Sequence, residues 1–134
     1  MDCVVLGDSI AVGIALQRPE CALYGKSGIT SVEWNRKWNG VDVNARTAII
    51  SLGTNDLSVH SLSDHLRAIR ARIHAGRVFW VMPNFNHTNL QQAQQTIRMI
   101  AEERHDQIIQ TQKLSPDHIH PSPDGYRELA VQSR

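Results

Sequence analysis

A serine near the start of the chain and an aspartate–histidine pair near its end are the residues best suited to chemistry. Ser9 follows Gly7 and Asp8, and Asp117 precedes His120 by three residues. A serine hydroxyl becomes a nucleophile when a base takes its proton, and a histidine acts as that base when a carboxylate holds its other ring nitrogen. Asp117 and His120 are close enough in the chain to lie within one turn. The spacing therefore predicts acyl transfer by a Ser-His-Asp triad.

Acyl transfer also needs hydrogen-bond donors for the negative charge that develops on the attacked carbonyl oxygen. The backbone N–H groups of Ser9 and Gly28 and the side-chain amide of Asn55 are the candidate donors. Position 28 suits this role because a glycine, lacking Cβ, lets its backbone approach a substrate closely. Ser9, Gly28 and Asn55 are the predicted oxyanion hole.

Alternating strands and helices must bring these scattered residues together. The predicted strands cover 3–7, 21–25, 47–53, 77–82 and 107–110. The predicted helices cover 10–17, 61–75 (ended by Gly76) and 88–104, and two more begin at Thr30, in a capping box with Glu33, and at Ser122. The strands are almost continuously apolar, which is typical of a parallel sheet covered by helices on both faces. The pattern predicts one α/β domain over residues 1–134.

Ligands of such sheets gather at the carboxyl ends of the strands. The loops that begin at residues 7, 25, 53, 83 and 115 are all expected at that edge, so the triad and the oxyanion donors converge there. The same edge holds further polar residues that are candidates for contact with the substrate: Asp8, Asp56, Asn84, His87 and His118.

Four short blocks of this chain resemble those of the SGNH (GDSL-type) hydrolases. They are Gly7-Asp8-Ser9, Gly28 within "KSGIT", Gly53-Thr54-Asn55-Asp56, and Asp117-His118-Ile119-His120. The blocks occur in the family's order and span almost the whole chain, with "GDSI" in place of "GDSL". The resemblance implies a three-layer α/β/α sandwich with a flavodoxin-like, five-stranded parallel sheet, commonly in strand order 2-1-3-4-5.

The resemblance also implies ester hydrolysis without a metal or other cofactor. It gives Ser9 the roles of nucleophile and oxyanion donor, makes Gly28 and Asn55 further donors, and completes the triad with Asp117 and His120. The chain is short for the family and has only 5% aromatic residues. A shallow, open site is therefore expected, which favours small acyl esters such as O-acetyl groups on a carbohydrate.

Three other interpretations stay open at this point. Within the same chemistry, the substrate is a longer acyl chain, as for a lysophospholipase or a thioesterase. In a different class, Asp117, His118 and His120 bind a metal together with Asp8 and Asp56, and the protein is a phosphoesterase; this interpretation leaves the predicted oxyanion donors without a role. A third possibility is a catalytically silent carbohydrate-binding module.

Composition sets the remaining expectations. The chain has 134 residues and a formal net charge of +1, which does not favour nucleic acid or an anionic membrane as a partner. It contains no run of roughly 18 apolar residues, the length that a membrane span needs. The first residues enter a strand directly, so we expect no signal peptide, a cytoplasmic location and a monomer.

Two pairs of residues are expected to be structural. Cys3 and Cys21 are the only cysteines, and we interpret them as buried free thiols because two cysteines do not make a disulfide framework. Trp34 and Trp38 lie four residues apart on one predicted helix. That spacing places both rings on one face, which predicts packing against the sheet. The alternative is that one of the two rings lines the pocket for the acyl group or the sugar.

Overall fold

The computed structural model describes residues 2–56, 61–84 and 88–134, in which strands and helices alternate. The strands are β1 (Cys3–Gly7), β2 (Ala22–Gly25), β3 (Val43–Ser51), β4 (Ile73–Val81) and β5 (Gln107–Ile109). The helices are α1 (Ser9–Gln17), α2 (Ser31–Lys37), α3 (Leu62–Ala71), α4 (Thr88–Arg104) and α5 (Pro123–Gln132). Among the residues described, no helix is both long enough and apolar enough to cross a membrane.

The five strands form one parallel sheet in the order β2-β1-β3-β4-β5. Side chains alternate between its faces, so Val4 and Leu6 of β1 enter one apolar cluster and Val5 enters the other. The first cluster includes residues of α2, α3 and α4, and the second includes residues of α1 and α5. The sheet is therefore covered on both faces, and the predicted α/β fold and strand order are confirmed.

Helix α2 begins at the predicted capping box. The side chain of Thr30 accepts from the backbone N–H of Glu33 at 3.1 Å, and the Glu33 carboxylate accepts from the N–H of Thr30 at 3.0 Å. One turn later Trp34 is buried, and its indole N–H donates to the carbonyl of Tyr24 at 2.8 Å. The ring of Trp38 packs 5.1 Å from that of Trp34. The predicted packing of this tryptophan pair is confirmed.

The predicted boundary between α3 and β4 is wrong. The helix ends at Ala71, and Gly76 lies within β4 instead of ending the helix. Both β3 and β4 begin four residues earlier than predicted, because residues 43–45 pair with residues 73–75. Val43 and Ile73 are buried, whereas the residues that follow them, Asn44 and His74, are exposed. These paired residues alternate between buried and more exposed positions, so they lack the continuous apolar run from which the strand starts were predicted.

The prediction of free thiols at Cys3 and Cys21 is also wrong, because the two cysteines form a disulfide. Val4 of β1 pairs with Ala22 of β2, so the register sets Cys3 beside Cys21, with their Cα atoms 4.7 Å apart. The pairing of β1 with β2 creates this proximity, and a count of cysteines carries no information about it. The disulfide ties the start of β1 to the residue that precedes β2.

Candidate active site

A tight turn between β1 and α1 presents Ser9. Gly7 has φ +139°, and a Cβ there would lie 1.8 Å from the carbonyl oxygen of Ser51, so the turn requires glycine. The N–H of Asp8 donates to the same carbonyl at 2.9 Å. The Asp8 carboxylate then accepts from the N–H of Ile10 at 3.0 Å and caps the helix. Ser9 is therefore the first residue of α1, and its neighbour is the cap.

The carboxylate of Asp8 is fully buried beneath this turn. Its Oδ1 atom accepts from Ile10 N–H and from the Ser51 hydroxyl at 3.0 Å, whereas Oδ2 has no hydrogen-bond partner among the described residues. Burial raises the pKa of Asp8 to about 6, although these hydrogen bonds act in the opposite direction. A fully buried carboxylate does not reach the surface, so the structure does not support a contact between Asp8 and the substrate, which stays a prediction. Its place in the fold is to hold the turn before Ser9.

A second turn, from Asp117 to His120, presents the aspartate–histidine pair. Oδ1 of Asp117 accepts from the N–H groups of Ile119 at 2.9 Å and of His120 at 3.0 Å, and Oδ2 lies 2.6 Å from Nδ1 of His120. His118 adopts a left-handed conformation with φ +57°, which closes the turn. The hydrogen bond from Ile119, followed by those from His120, lowers the pKa of Asp117 to about 2. Asp117 is thus held as an ionised acceptor for the imidazole.

The start of α5 anchors this second turn. Ser122 caps the helix by accepting from the N–H of Gly125 at 3.2 Å, and its own N–H donates to the carbonyl of Lys113 at 2.8 Å. A Cβ on Gly125 would lie 2.2 Å from that carbonyl oxygen, so the close approach requires glycine. The N–H of Ser115 donates to the carbonyl of His120 at 2.8 Å and closes the loop. The imidazole is therefore carried on a loop with both ends fixed.

The two turns meet at one hydrogen bond. Oγ of Ser9 lies 2.9 Å from Nε2 of His120, across 111 residues of sequence. Because the Asp117 carboxylate accepts at Nδ1, the proton of a neutral imidazole resides there and Nε2 is free to accept from the serine hydroxyl. The structure thus brings together the three side chains of the predicted triad. The arrangement is able to transfer the Ser9 proton to His120.

The candidate oxyanion donors follow the two strands on either side of β1. Gly28, after β2, is exposed, has φ +79°, and has open space where a Cβ would lie. Asn55, after β3, is partly exposed, and its side-chain amide donates to the carbonyl of Ile29 at 3.2 Å. This hydrogen bond places Asn55 beside the Gly28 backbone. Ser9, Gly28 and Asn55 therefore follow three adjacent strands at the same edge of the sheet.

Asp56 stabilises this edge of the sheet through buried hydrogen bonds. It is buried, and its Oδ1 atom accepts from both the N–H of Ser31 at 2.8 Å and the Ser31 hydroxyl at 2.9 Å. Burial raises the pKa of Asp56, against the effect of these hydrogen bonds. As with Asp8, the burial of the Asp56 carboxylate does not support the predicted substrate contact, which stays a prediction. Ser31 and Ser51, which bind these two carboxylates, were missed by the sequence analysis; the signal for Ser51 is a hydroxyl directly after the apolar run at 48–50.

The other predicted substrate contacts are less constrained. His118 is exposed beside the triad, and Asn84 is partly exposed after the end of β4. His87 lies outside the described residues. Their contact with a substrate stays a prediction.

The arrangement of possible metal ligands does not favour the phosphoesterase interpretation. In the described parts of the chain, Cys3, Glu20 and Cys21 are the one group of three ligand-type side chains whose donor atoms lie within 4.8 Å of one another, and two of these sulfurs form the disulfide. Asp117, His118 and His120 do not form such a group there. Instead, the carboxylate of Asp117 and Nδ1 of His120 bind each other.

Comparison with known proteins identifies solved structures that share this fold. No protein-family model and no curated protein matches the chain. A solved structure of a lipolytic G-D-S-L family member from Veillonella parvula is similar over 98% of this chain and 95% of its own, with 16% identity and a TM-score of 0.67. A GDSL-like lipase from Bacteroides thetaiotaomicron is similar over 98% of this chain and 86% of its own, with 17% identity and a TM-score of 0.71.

A third similar structure is the catalytic domain of peptidoglycan O-acetyltransferase A from Streptococcus pneumoniae. It covers 97% of this chain and 88% of its own, with 16% identity and a TM-score of 0.67. At these identities the comparisons show the fold, and the fold of this chain is that of the GDSL-type hydrolases. The fold implied by the four sequence blocks is thereby confirmed for the described part of the chain.

Proposed function

We propose that this protein is a serine esterase of the SGNH type. The observation that carries the proposal is the line of three side chains in which Ser9 Oγ lies 2.9 Å from Nε2 of His120 and Asp117 lies 2.6 Å from Nδ1. This geometry supports Ser9 as an activated nucleophile, His120 as its general base and Asp117 as the orienting carboxylate. The fold shared with GDSL-like lipases supports the same reaction class.

The first half of the reaction acylates Ser9. His120 takes the hydroxyl proton as Oγ attacks the ester carbonyl carbon, and the carbonyl oxygen becomes an oxyanion. This oxyanion accepts from the N–H groups of Ser9 and Gly28 and from the amide of Asn55. The Asn55 amide has two N–H donors, so one bonds the oxyanion while the other keeps the carbonyl of Ile29. Collapse of the intermediate breaks the C–O bond, and His120 gives its proton to the departing alcohol.

The second half returns the free enzyme. His120 takes a proton from water as the water oxygen attacks the acyl carbon, and the same donors stabilise the second oxyanion. The bond to Ser9 Oγ then breaks, Oγ recovers the proton from His120, and the carboxylic acid leaves. The ionised Asp117 stabilises the imidazolium in both halves, because its low pKa keeps it charged at neutral pH.

The proposed substrate is a small acyl ester, in particular an O-acetyl group on a carbohydrate. Asp117 and His120 have side-chain exposures of 46% and 41%, so the triad lies on an open surface that admits a bulky alcohol part. The Streptococcus pneumoniae neighbour is named for acetyl transfer on peptidoglycan, which supports an acetylated carbohydrate for this chain too. Longer acyl chains, as on lysophospholipids or thioesters, are the alternative that the assay below distinguishes.

The test is hydrolysis of 4-nitrophenyl acetate and of acetylated xylan by the purified chain and its variants. Ser9→Ala and His120→Ala are expected to lose about 10⁴-fold or more in kcat. Ser63→Ala on α3 and His74→Ala on β4, which change the same residue types away from the site, serve as matched controls. Undiminished hydrolysis by either triad variant contradicts the proposed mechanism.

Acyl-chain length tests the substrate separately. Rates on acetyl, butyryl and octanoyl esters of the same alcohol are expected to fall along that series. A rate that rises with chain length would replace the carbohydrate acetyl ester by a lipid or thioester substrate and leave the triad in place. Chelation by EDTA is expected to leave the rate unchanged, and a strong loss would favour the metal-dependent phosphoesterase.

A further inference from the structure

A cavity of about 420 Å³ opens beside the candidate oxyanion hole. Its walls are formed by Lys26, Ser27, Gly28, Ile29, Glu33, Arg36 and Lys37. This volume falls within the range of small-molecule sites. Gly28 belongs both to the cavity and to the proposed oxyanion hole, and the N–H of Lys26 donates to the carbonyl of Gly7 at 2.9 Å, two residues before Ser9. A substrate bound at Ser9 therefore has the cavity as its neighbour.

The cavity is positively charged. Its walls carry three cations, Lys26, Arg36 and Lys37, and one carboxylate, Glu33. The Glu33 carboxylate accepts from the N–H of Thr30, and this bond together with the nearby charges of Lys26 and Arg36 holds the pKa of Glu33 below its usual range. Neither Lys26 nor Arg36 takes part in an ion pair within the described residues. The Lys37 ammonium lies over the ring of Trp38, 5.4 Å from its centroid, so two basic side chains, Lys26 and Arg36, remain available to a ligand.

We propose that this cavity binds a carboxylate on the alcohol part of the ester, so that the substrate is an acetylated acidic carbohydrate. The inference rests on the proposed function: an acetyl group carries no charge, and the anion must therefore belong to the alcohol. Arg36 offers a planar pair of donors that matches a carboxylate, and Lys26 adds a second positive charge. The Glu33 carboxylate in the same wall favours a singly charged carboxylate over a doubly charged phosphate.

The test compares two esters that differ in one group. They are the 3-O-acetyl esters of methyl glucuronoside and methyl glucoside, which carry a carboxylate and a hydroxymethyl group at the same carbon. The wild-type protein is expected to prefer the charged ester in kcat/KM by about fivefold, since two exposed ion pairs together contribute on this scale. The preference should decline as ionic strength rises, because salt screens exposed charges.

Single-charge variants locate the effect. Lys26→Gln and Arg36→Gln are each expected to lower the preference roughly two- to fivefold. Glu33→Gln is expected to raise it, and this variant keeps the capping box because glutamine also accepts from Thr30. Arg46→Gln removes an exposed arginine near the start of β3, at the opposite edge of the sheet, and should leave the preference unchanged.

Binding to Ser9→Ala, followed by NMR titration of the two esters, gives a second readout that needs no turnover. Tighter binding of the charged ester, weakened by Lys26→Gln and Arg36→Gln, supports the proposal. Equal binding or equal rates for the two esters would overturn the proposal that the cavity binds a carboxylate. Hydrolysis that depends on Ser9 would still support the esterase proposal in that case. If neither ester is hydrolysed, the esterase proposal fails on these substrates, and the binding comparison still decides what the cavity recognises.

Discussion

Two aspartates on either side of the Ser9–His120 hydrogen bond have opposite environments. Asp8, in the turn before Ser9, is fully buried, leaves one carboxylate oxygen without a partner among the described residues, and has a pKa raised to about 6. Asp117, in the turn before His120, is exposed, uses both oxygens, and has a pKa lowered to about 2. The difference follows from burial in one turn and from donated hydrogen bonds in the other.

The two aspartates therefore have different roles: Asp117 supplies a negative charge and Asp8 holds a turn in place. The charge of Asp117 is directed at the imidazole, where the proposed reaction needs it when His120 becomes positive. Asp8 supplies geometry: its Oδ1 atom fixes Ser51 to the start of α1, and a neutral group of the same shape would do so too. Charge should therefore matter for activity in the exposed turn, and shape should matter in the buried one.

The largest expected effect is the difference between two isosteric variants. Asp117→Asn is expected to lower kcat about 10⁴-fold, because an amide no longer holds the required tautomer or stabilises the imidazolium. Asp8→Asn keeps an oxygen in the place of Oδ1, so its loss should stay below about tenfold, or 1.4 kcal/mol. Kinetics on 4-nitrophenyl acetate measure both variants, with circular dichroism as the check on folding. Equal losses of kcat in the two variants would contradict the view that charge matters at Asp117 and shape at Asp8.

Asn55 extends the comparison to the neighbouring strand end. Asn55→Ala is expected to lower kcat about 10²–10³-fold, since it removes one proposed oxyanion donor. Asn44→Ala, on an exposed position of β3, is the matched control and should retain full activity. A loss confined to KM would instead make Asn55 a residue that binds ground state and transition state equally.

The disulfide should affect stability without affecting chemistry. It joins residues 18 apart at the start of β1, whereas Ser9 lies beyond its end. Cys3→Ala with Cys21→Ala is expected to lower the free energy of unfolding by about 3 kcal/mol. Urea denaturation measures this change, and kcat at 25 °C is expected to stay at the wild-type value. A large fall in kcat of the folded double variant would show that the disulfide also positions the site.

The last expected effect, which is at most as large as that of the disulfide, concerns the dependence of stability on pH. The folded state holds the Asp8 proton up to about pH 6 and the unfolded state releases it near 3.8, so the contribution of Asp8 to stability falls as pH rises through this window. The fall is at most about 3 kcal/mol. Asp117 acts in the opposite sense: its contribution is present above about pH 4 and is lost as pH falls toward 2. Urea denaturation at several pH values measures the free energy of unfolding. Its fall between about pH 4 and pH 6 should be smaller in Asp8→Asn than in the wild type. The same fall in both proteins would contradict the raised pKa of Asp8.

The architecture was predictable where local patterns carry it. Apolar runs located all five strands, and the Thr30–Glu33 capping box located the start of α2. The four blocks around Ser9, Gly28, Asn55 and Asp117 identified the edge at which polar residues gather. Each of these signals is contained in a few consecutive residues. It can therefore be interpreted without knowing which strands and helices are neighbours in the fold.

What could not be predicted depends on which elements are neighbours. The Cys3–Cys21 disulfide and the early start of β3 and β4 both result from strand register. The burial of Asp8 and Asp56 depends on Ser51 and on Ser31, which lie in other elements. The roles of the triad and of the oxyanion donors stay predictions, because geometry alone does not measure a rate.

The most direct test of the central claim is covalent labelling of the nucleophile. The purified chain is treated with diisopropyl fluorophosphate, and the adduct is located by intact-mass and peptide mass spectrometry. A single adduct on Ser9 is predicted, absent from Ser9→Ala and strongly slowed in His120→Ala. Labelling of a different serine, or an unlabelled protein that still hydrolyses 4-nitrophenyl acetate, would contradict the account of Ser9 as a nucleophile activated by His120.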